Sequence, residues 1–220
     1  MTWVIAHRGA SAEERENTLP AFERAIALGA DFVELDVQVS ADGALVVFHD
    51  VDLDRLTPLH GPLGKRPLAE LREHAIPTLE DVLELTHGRI GVMAELKSPH
   101  LYRRHDVAGR TAALLGPDDV LLSFSRRALL QGKQGRPDLR LLQHVGLGVS
   151  IRVASSYAWG VGFWDPRVTG RGVAKARKLG LATTVYTVNE PRRMRDLCAL
   201  GVDGIFTDCP DRARAAMRPR

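Results

Sequence analysis

Four short pieces of this 220-residue chain hold residue types suited to phosphate ester chemistry: His7-Arg8, Glu34-x-Asp36, His49-Asp50 and Glu95-x-Lys97. Each lies on or just past a short apolar run. Together they offer two histidines able to move protons, three acids (Glu34, Asp36 and Glu95) able to share one divalent metal, and two cations, Arg8 and Lys97, for an anion. That set, in that order, is a complete kit for metal-assisted cleavage of a phosphate ester.

Spacing decides whether the set can meet. Glu34 and Asp36 are two apart, so in a strand their side chains share one face while Val33, Leu35 and Val37 take the other. An isolated acid pair at a strand end is more often a solvated edge or a helix cap than a site. Here the apolar residues must turn toward covering helices, which leaves the acids facing inward. Glu95 and Lys97 repeat the geometry, with Val92, Ala94 and Leu96 on the helix side. Hard oxygen ligands without cysteine or paired histidine favour magnesium, calcium or manganese over zinc. Lys97 suits a phosphate better than a metal, because an ammonium has no lone pair. Arg8 reads as a bidentate phosphate clamp or as a surface salt bridge. Asp50 follows His49 directly, and adjacent strand residues point opposite ways, which argues against its orienting the imidazole. Asn17 and Thr18 are N-cap candidates for the first helix. Ser123, Phe124 and Tyr186 read as barrel filling, Cys209 as an inert thiol near the active face, and His144 falls in no usable pattern.

The elements that must position these residues follow one grammar. Strand candidates recur at Trp3–Ala6, Phe32–Val37, Leu45–Phe48, Gly91–Leu96, Val120–Phe124, Leu139–Val145, Trp159–Trp164, Thr183–Thr187 and Gly204–Thr207. Helical spacing such as Leu19-Phe22-Ile26 lies between most of them. Thr78 and Asp81 form a capping-box signature with Asp in place of Glu. Leu28-Gly29, Leu179-Gly180 and Leu200-Gly201 each end a helix shortly before a strand. Alternating strand and helix predicts a parallel sheet. The candidates exceed by one the count for a (β/α)8 barrel. Asp42-Gly43 between two apolar runs is a hairpin signal that makes the third candidate an antiparallel return. The prediction is therefore one TIM-type barrel domain over residues 1–220, with a β-hairpin and a short lid, Val51–Ala75, inserted after the second strand.

Bulk properties bound the reading. A chain 45% hydrophobic and of this length buries one sizeable core. The net charge of +3 and 5% aromatic content give no basic, aromatic-interleaved surface for nucleic acid. Two cysteines make no disulfide framework and fit a reducing compartment. No apolar stretch is long enough to span a membrane, and no secretory signal precedes Trp3, so a cytoplasmic location without stable membrane association is expected. Oligomeric state leaves no signature here.

At these residues the chain resembles the glycerophosphodiester phosphodiesterase family, compact bacterial type. The resemblance runs through His7-Arg8-Gly9, Glu16-Asn17-Thr18-Leu19-Pro20, Gly29-Ala30-Asp31-Phe32-Val33-Glu34-Leu35-Asp36 and Leu45-Val46-Val47-Phe48-His49-Asp50. It continues in Glu95-Leu96-Lys97, Thr187-Val188-Asn189 and Gly201-Val202-Asp203-Gly204-Ile205-Phe206-Thr207-Asp208, covering nearly the whole chain. It implies a divalent metal on Glu34, Asp36 and Glu95, His7 and His49 as an acid–base pair, and Arg8 and Lys97 on the phosphate. The implied substrate is a small glycerophosphodiester; Phe124 and Tyr186, as barrel-wall residues, are expected to pack against its glycerol carbons. The chain departs from the family in Arg55-Leu56-Thr57, in Tyr186 where tryptophan is usual, and in Cys209 after Asp208. These departures touch substrate fit and leave the metal and histidine positions intact. Lysophospholipase D action on lysolipids, which calls for an apolar groove, and an inactive phosphate-binding barrel are the competing readings.

Overall fold

The computed structural model describes residues 2–146 and 148–217. Every expected apolar run forms a strand: β1 (Trp3–His7), β2 (Phe32–Val39), β3 (Leu45–Val47), β4 (Gly91–Leu96), β5 (Val120–Ser123), β6 (Arg140–His144), β7 (Gly160–Trp164), β8 (Ala182–Tyr186) and β9 (Gly204–Thr207). Between them run α1 (Leu19–Ala27), α2 (Leu68–Glu73), α3 (Leu79–Thr86), α4 (Val107–Leu114), α5 (Arg126–Gly135), α6 (Ile151–Ala154), α7 (Gly170–Lys178) and α8 (Pro191–Leu200), with α9 (Pro210–Met217) after the last strand. Parallel pairing proceeds β1-β2-β4-β5-β6-β7-β8-β9, and β9 returns to β1, closing a barrel of the TIM type. β3 pairs antiparallel with β2, Val37 opposite Val47 and Val39 opposite Leu45. The Asp-Gly signal therefore marked a real hairpin, and the extra strand lies outside the barrel.

Alternation sorts each strand into two faces. Val33, Leu35, Val37, Val92, Ala94 and Leu96 turn outward and pack with Phe22 and Ala25 of α1 and Leu79 and Val82 of α3. Ile5, Met93, Val120, Leu122, Leu142 and Phe206 fill the barrel axis. Toward the C-terminal ends of the strands, the inward positions change to His7, Glu34, Asp36, Glu95 and His144, where a barrel of this kind carries its chemistry.

Local signals seat the connections. Thr78 caps α3: its hydroxyl accepts from Asp81 N at 3.1 Å, and its own N–H donates to Asp81 Oδ2 at 2.8 Å. Of the two cap candidates for α1 it is Thr18 that takes the role, accepting from Ala21 N. Residues 51–75 bring Leu53, Leu63 and Leu71 into a separate apolar cluster with Val46, Phe48 and Ile76, which anchors this insertion beside His49. Among the described residues, no helix is long and apolar enough to cross a membrane.

Candidate active site

Glu34, Asp36 and Glu95 each offer one oxygen such that all three lie within 4.8 Å of one another. Strand register explains the meeting: Asp36 of β2 is paired with Glu95 of β4, and Glu34 of β2 with His7 of β1. All three acids are buried. Burial, with Asp36 and Glu95 adding to it, pushes Glu34 well above the usual carboxylate range. Glu95 is pushed up to about 7, chiefly by burial, with Lys97 opposing and Asp36 adding. Asp36 moves the other way. Burial would raise it, but Lys97, Arg8, His49 and a hydrogen bond from Asn17 together hold it low. Asp36 Oδ1 is buried without a hydrogen-bond partner among the described residues. An all-oxygen set with excess negative charge and an orphaned acceptor fits a hard divalent cation.

Cations and amides frame this set. Lys97 Nζ lies 3.0 Å from Glu95 Oε1 and 3.4 Å from Asp36 Oδ1. Arg8 has φ +59, a left-handed turn just past β1. That turn lets its backbone N–H donate to Glu34 Oε2 at 3.0 Å, while Nε lies 3.2 Å from Asp36 Oδ2. Asn17, with φ +58, turns its side chain inward and donates to Asp36 Oδ2 at 2.8 Å. Asparagine tolerates that backbone region better than most residues, a signal that could have separated it from Thr18.

His7 and His49 each have a carboxylate behind the ring. His7 Nδ1 is 2.7 Å from Asp208 Oδ1, across 201 positions of sequence. Asp208 also accepts from Ser11 Oγ and Asn189 Nδ2. Burial works against the Asp208 charge, yet these bonds, led by the one with His7, hold its pKa low. His49 Nδ1 is 2.6 Å from Asp50 Oδ1. The sequence argument against Asp50 assumed an extended strand there, but β3 stops at Val47 and the chain turns, so neighbouring side chains meet. Asp50 Oδ2 accepts from Arg55 Nε, Arg55 in turn holds Glu16 at 2.7 and 3.0 Å, and Glu16 Oε1 accepts from Arg8 at 2.9 Å. This chain of ion pairs ties His49 to Arg8. Burial, only partly opposed by Asp36, keeps His49 below its ordinary pKa.

A cavity of about 210 Å³ is bordered by Glu34 and Glu95 and lined by His7, His49, Lys97, Phe124, Tyr186 and Phe206 among others. Phe124 and Tyr186 stand edge-to-face at 6.0 Å on its far wall. The phenol of Tyr186 is pushed up to about 12, chiefly by burial, and keeps its proton. A second cavity of about 550 Å³ opens between the loops after β4 and β5 and shares Glu95, Lys97 and Phe124 with the first. Every candidate site residue of the sequence thus reaches the barrel mouth. What sequence reasoning missed is the supporting ring: Glu16, Asn17 and Arg55, the role of Asp208, and His144.

The model of the glycerophosphoryl diester phosphodiesterase family matches residues 7–212. The chain belongs to that family. A glycerophosphodiester phosphodiesterase of Bacillus altitudinis is 34% identical, with 97% of each chain covered. The family barrel is equally clear among solved structures. A phosphodiesterase of Oleispira antarctica, solved in complex with the product sn-glycerol-3-phosphate, superposes with a TM-score of 0.89 at 28% identity, covering 99% of this chain and 97% of its own. The glycerophosphodiester phosphodiesterase of Agrobacterium tumefaciens gives a TM-score of 0.81 at 31% identity, over 98% of this chain and 100% of its own.

Proposed function

We propose that this phosphodiesterase family member hydrolyses glycerophosphodiesters to glycerol 3-phosphate and an alcohol, as one catalytic barrel spanning residues 1–220. The observation that carries the reading is the convergence of two carboxylate-backed histidines, His7 and His49, on one buried triad of acids. Magnesium, calcium or manganese held by Glu34, Asp36 and Glu95 would polarise a phosphoryl oxygen and offset its charge. The side chains do the rest. Arg8 pairs with Asp36 and Lys97 with Glu95, and both line the cavity, where a phosphate would meet their positive charge. One histidine accepts the proton of the nucleophile and the other donates to the departing alkoxide. Asp50 and Asp208 hold the rings so that Nε2 faces the reacting atoms. Phe124 and Tyr186 pack against the glycerol carbons. A cytoplasmic location accords with two unpaired cysteines.

Incubation with glycerophosphocholine should release glycerol 3-phosphate in stoichiometric amount with choline. A chelator should stop the reaction, and added magnesium, calcium or manganese should restore it. Release that is indifferent to the chelator would sink the metal-dependent reading.

A second reading has its own observation. The cavity of about 550 Å³ beside Phe124 carries an apolar strip of Leu96, Pro99, Tyr102, Val107, Ala108 and Ala128, interrupted by charged residues such as Arg103, Asp106 and Arg127. The apolar strip, which shares Glu95, Lys97 and Phe124 with the phosphate site, has the character to seat the acyl chain of a lysophospholipid. Lysophosphatidylcholine of medium chain length should then be cleaved at least as efficiently as glycerophosphocholine. Turnover that falls with each added carbon would dismiss this reading and leave the first intact.

A further inference from the structure

His144, the last residue of β6, lines the smaller cavity, yet nothing described so far employs it. Its inward direction follows from Leu142, two residues earlier, which packs on the barrel axis. The ring is 3% exposed and lies 4.6 Å from Phe124 and 4.3 Å from Tyr186, centroid to centroid. Nδ1 is buried without a hydrogen-bond partner among the described residues. Nε2 stands 4.0 Å from Glu95 Oε2, beyond hydrogen-bond reach. Nδ1 lies against Gly162 of the neighbouring strand, so the ring nitrogen left for a partner outside the chain is Nε2. An imidazole nitrogen with no bond of its own usually has a partner that the bare chain does not show.

The barrel makes room for this ring. His144 is paired in register with Gly162 of β7, and a methyl group at Gly162 would run into Nδ1 and Cε1 of the imidazole. The strand next to β6 thus gives up a side chain where the histidine sits. A histidine that merely filled the barrel between Phe124 and Tyr186 would be replaceable by an apolar ring. Its Nε2 points instead toward the acid that bounds the cavity.

We propose that His144 is a specificity-determining residue whose Nε2 hydrogen-bonds a hydroxyl of the glycerol half of the substrate, next to Glu95. The assignment rests on the glycerophosphodiesterase reading above. Glycerol differs from a plain three-carbon alcohol by its hydroxyls. The cavity offers apolar surface for the carbons in Phe124 and Phe206, and polar atoms for the hydroxyls in His144 and Tyr186.

The test compares glycerophosphocholine with propylphosphocholine, which lacks both glycerol hydroxyls, on the metal-loaded enzyme. His144→Phe should lose on the order of 10–100-fold in kcat/KM on glycerophosphocholine, the usual cost of one lost polar contact, and little on propylphosphocholine. His144→Gln, which keeps a donor and an acceptor, should recover part of the loss. Gly162→Ala, which displaces the ring, should show the same selective defect. Manganese affinity, followed by the electron paramagnetic resonance signal of the free ion, should be unchanged in all three. Equal loss on both substrates, or a parallel loss of manganese binding, would reduce His144 to a structural residue and overturn the proposal. So would equal activity on glycerophosphocholine in wild type and His144→Phe. If His144→Phe does not fold, the Gln and Ala variants decide alone by the same substrate ratio. Wild type that cleaves neither substrate would remove the glycerophosphodiesterase reading and this inference with it, whereas cleavage of glycerophosphocholine without a selective defect removes only the inference.

Discussion

Alanine at Glu95 should empty the metal site and bring phosphodiesterase activity to background while the barrel stays folded. Glu95 supplies one of three converging oxygens, and a hard divalent cation left with two protein ligands is held far more weakly. Stability should not fall with activity, because the substitution removes one of three mutually repelling buried carboxylates. Lys97 keeps Asp36 at 3.4 Å as its counter-charge, so the change does not strand a buried cation. Elemental analysis of the dialysed protein, together with a thermal melt, checks both halves. Metal content equal to wild type would show that the ligand set is wrong. Glu34→Ala and Asp36→Ala should behave alike in metal content. Asp36→Ala should also destabilise, since Arg8, Asn17 and Lys97 all lean on that carboxylate.

Removing either imidazole should slow turnover by roughly 10²–10⁴-fold, the usual worth of a positioned acid or base, with a smaller effect on KM. His7→Ala and His49→Ala separate when the leaving group changes. On a glycerophosphodiester of p-nitrophenol, the variant lacking the general acid should regain most of its rate, because that phenolate departs without protonation. The variant lacking the general base should stay slow. Recovery by neither would mean that the two histidines do not divide the proton transfers. Metal content should remain that of wild type in both, since neither imidazole is among the three converging ligands.

Much of this molecule is legible in the sequence, because the physics involved is local. Alternation along β2 and β4 sends Val33, Leu35, Ala94 and Leu96 to the helices and therefore Glu34, Asp36 and Glu95 to the axis, whatever the rest of the chain does. Asp42-Gly43 allows the hairpin turn, and Thr78 with Asp81 starts α3, through contacts spanning a few residues. Tertiary structure alone decided which groups support that site. His7 finds Asp208 only because β9 closes the barrel against β1, and Arg55 reaches Glu16 only because the insertion after β3 folds back over the first loop. Asp50 meets His49 because β3 ends at Val47, so the rule that neighbours in a strand point opposite ways does not apply to this pair. His144 gains its place from a missing side chain on the neighbouring strand, at Gly162. Side-chain direction is set by the period of one strand, but partnership depends on the register between strands and on loops from distant parts of the chain, and no local pattern encodes either.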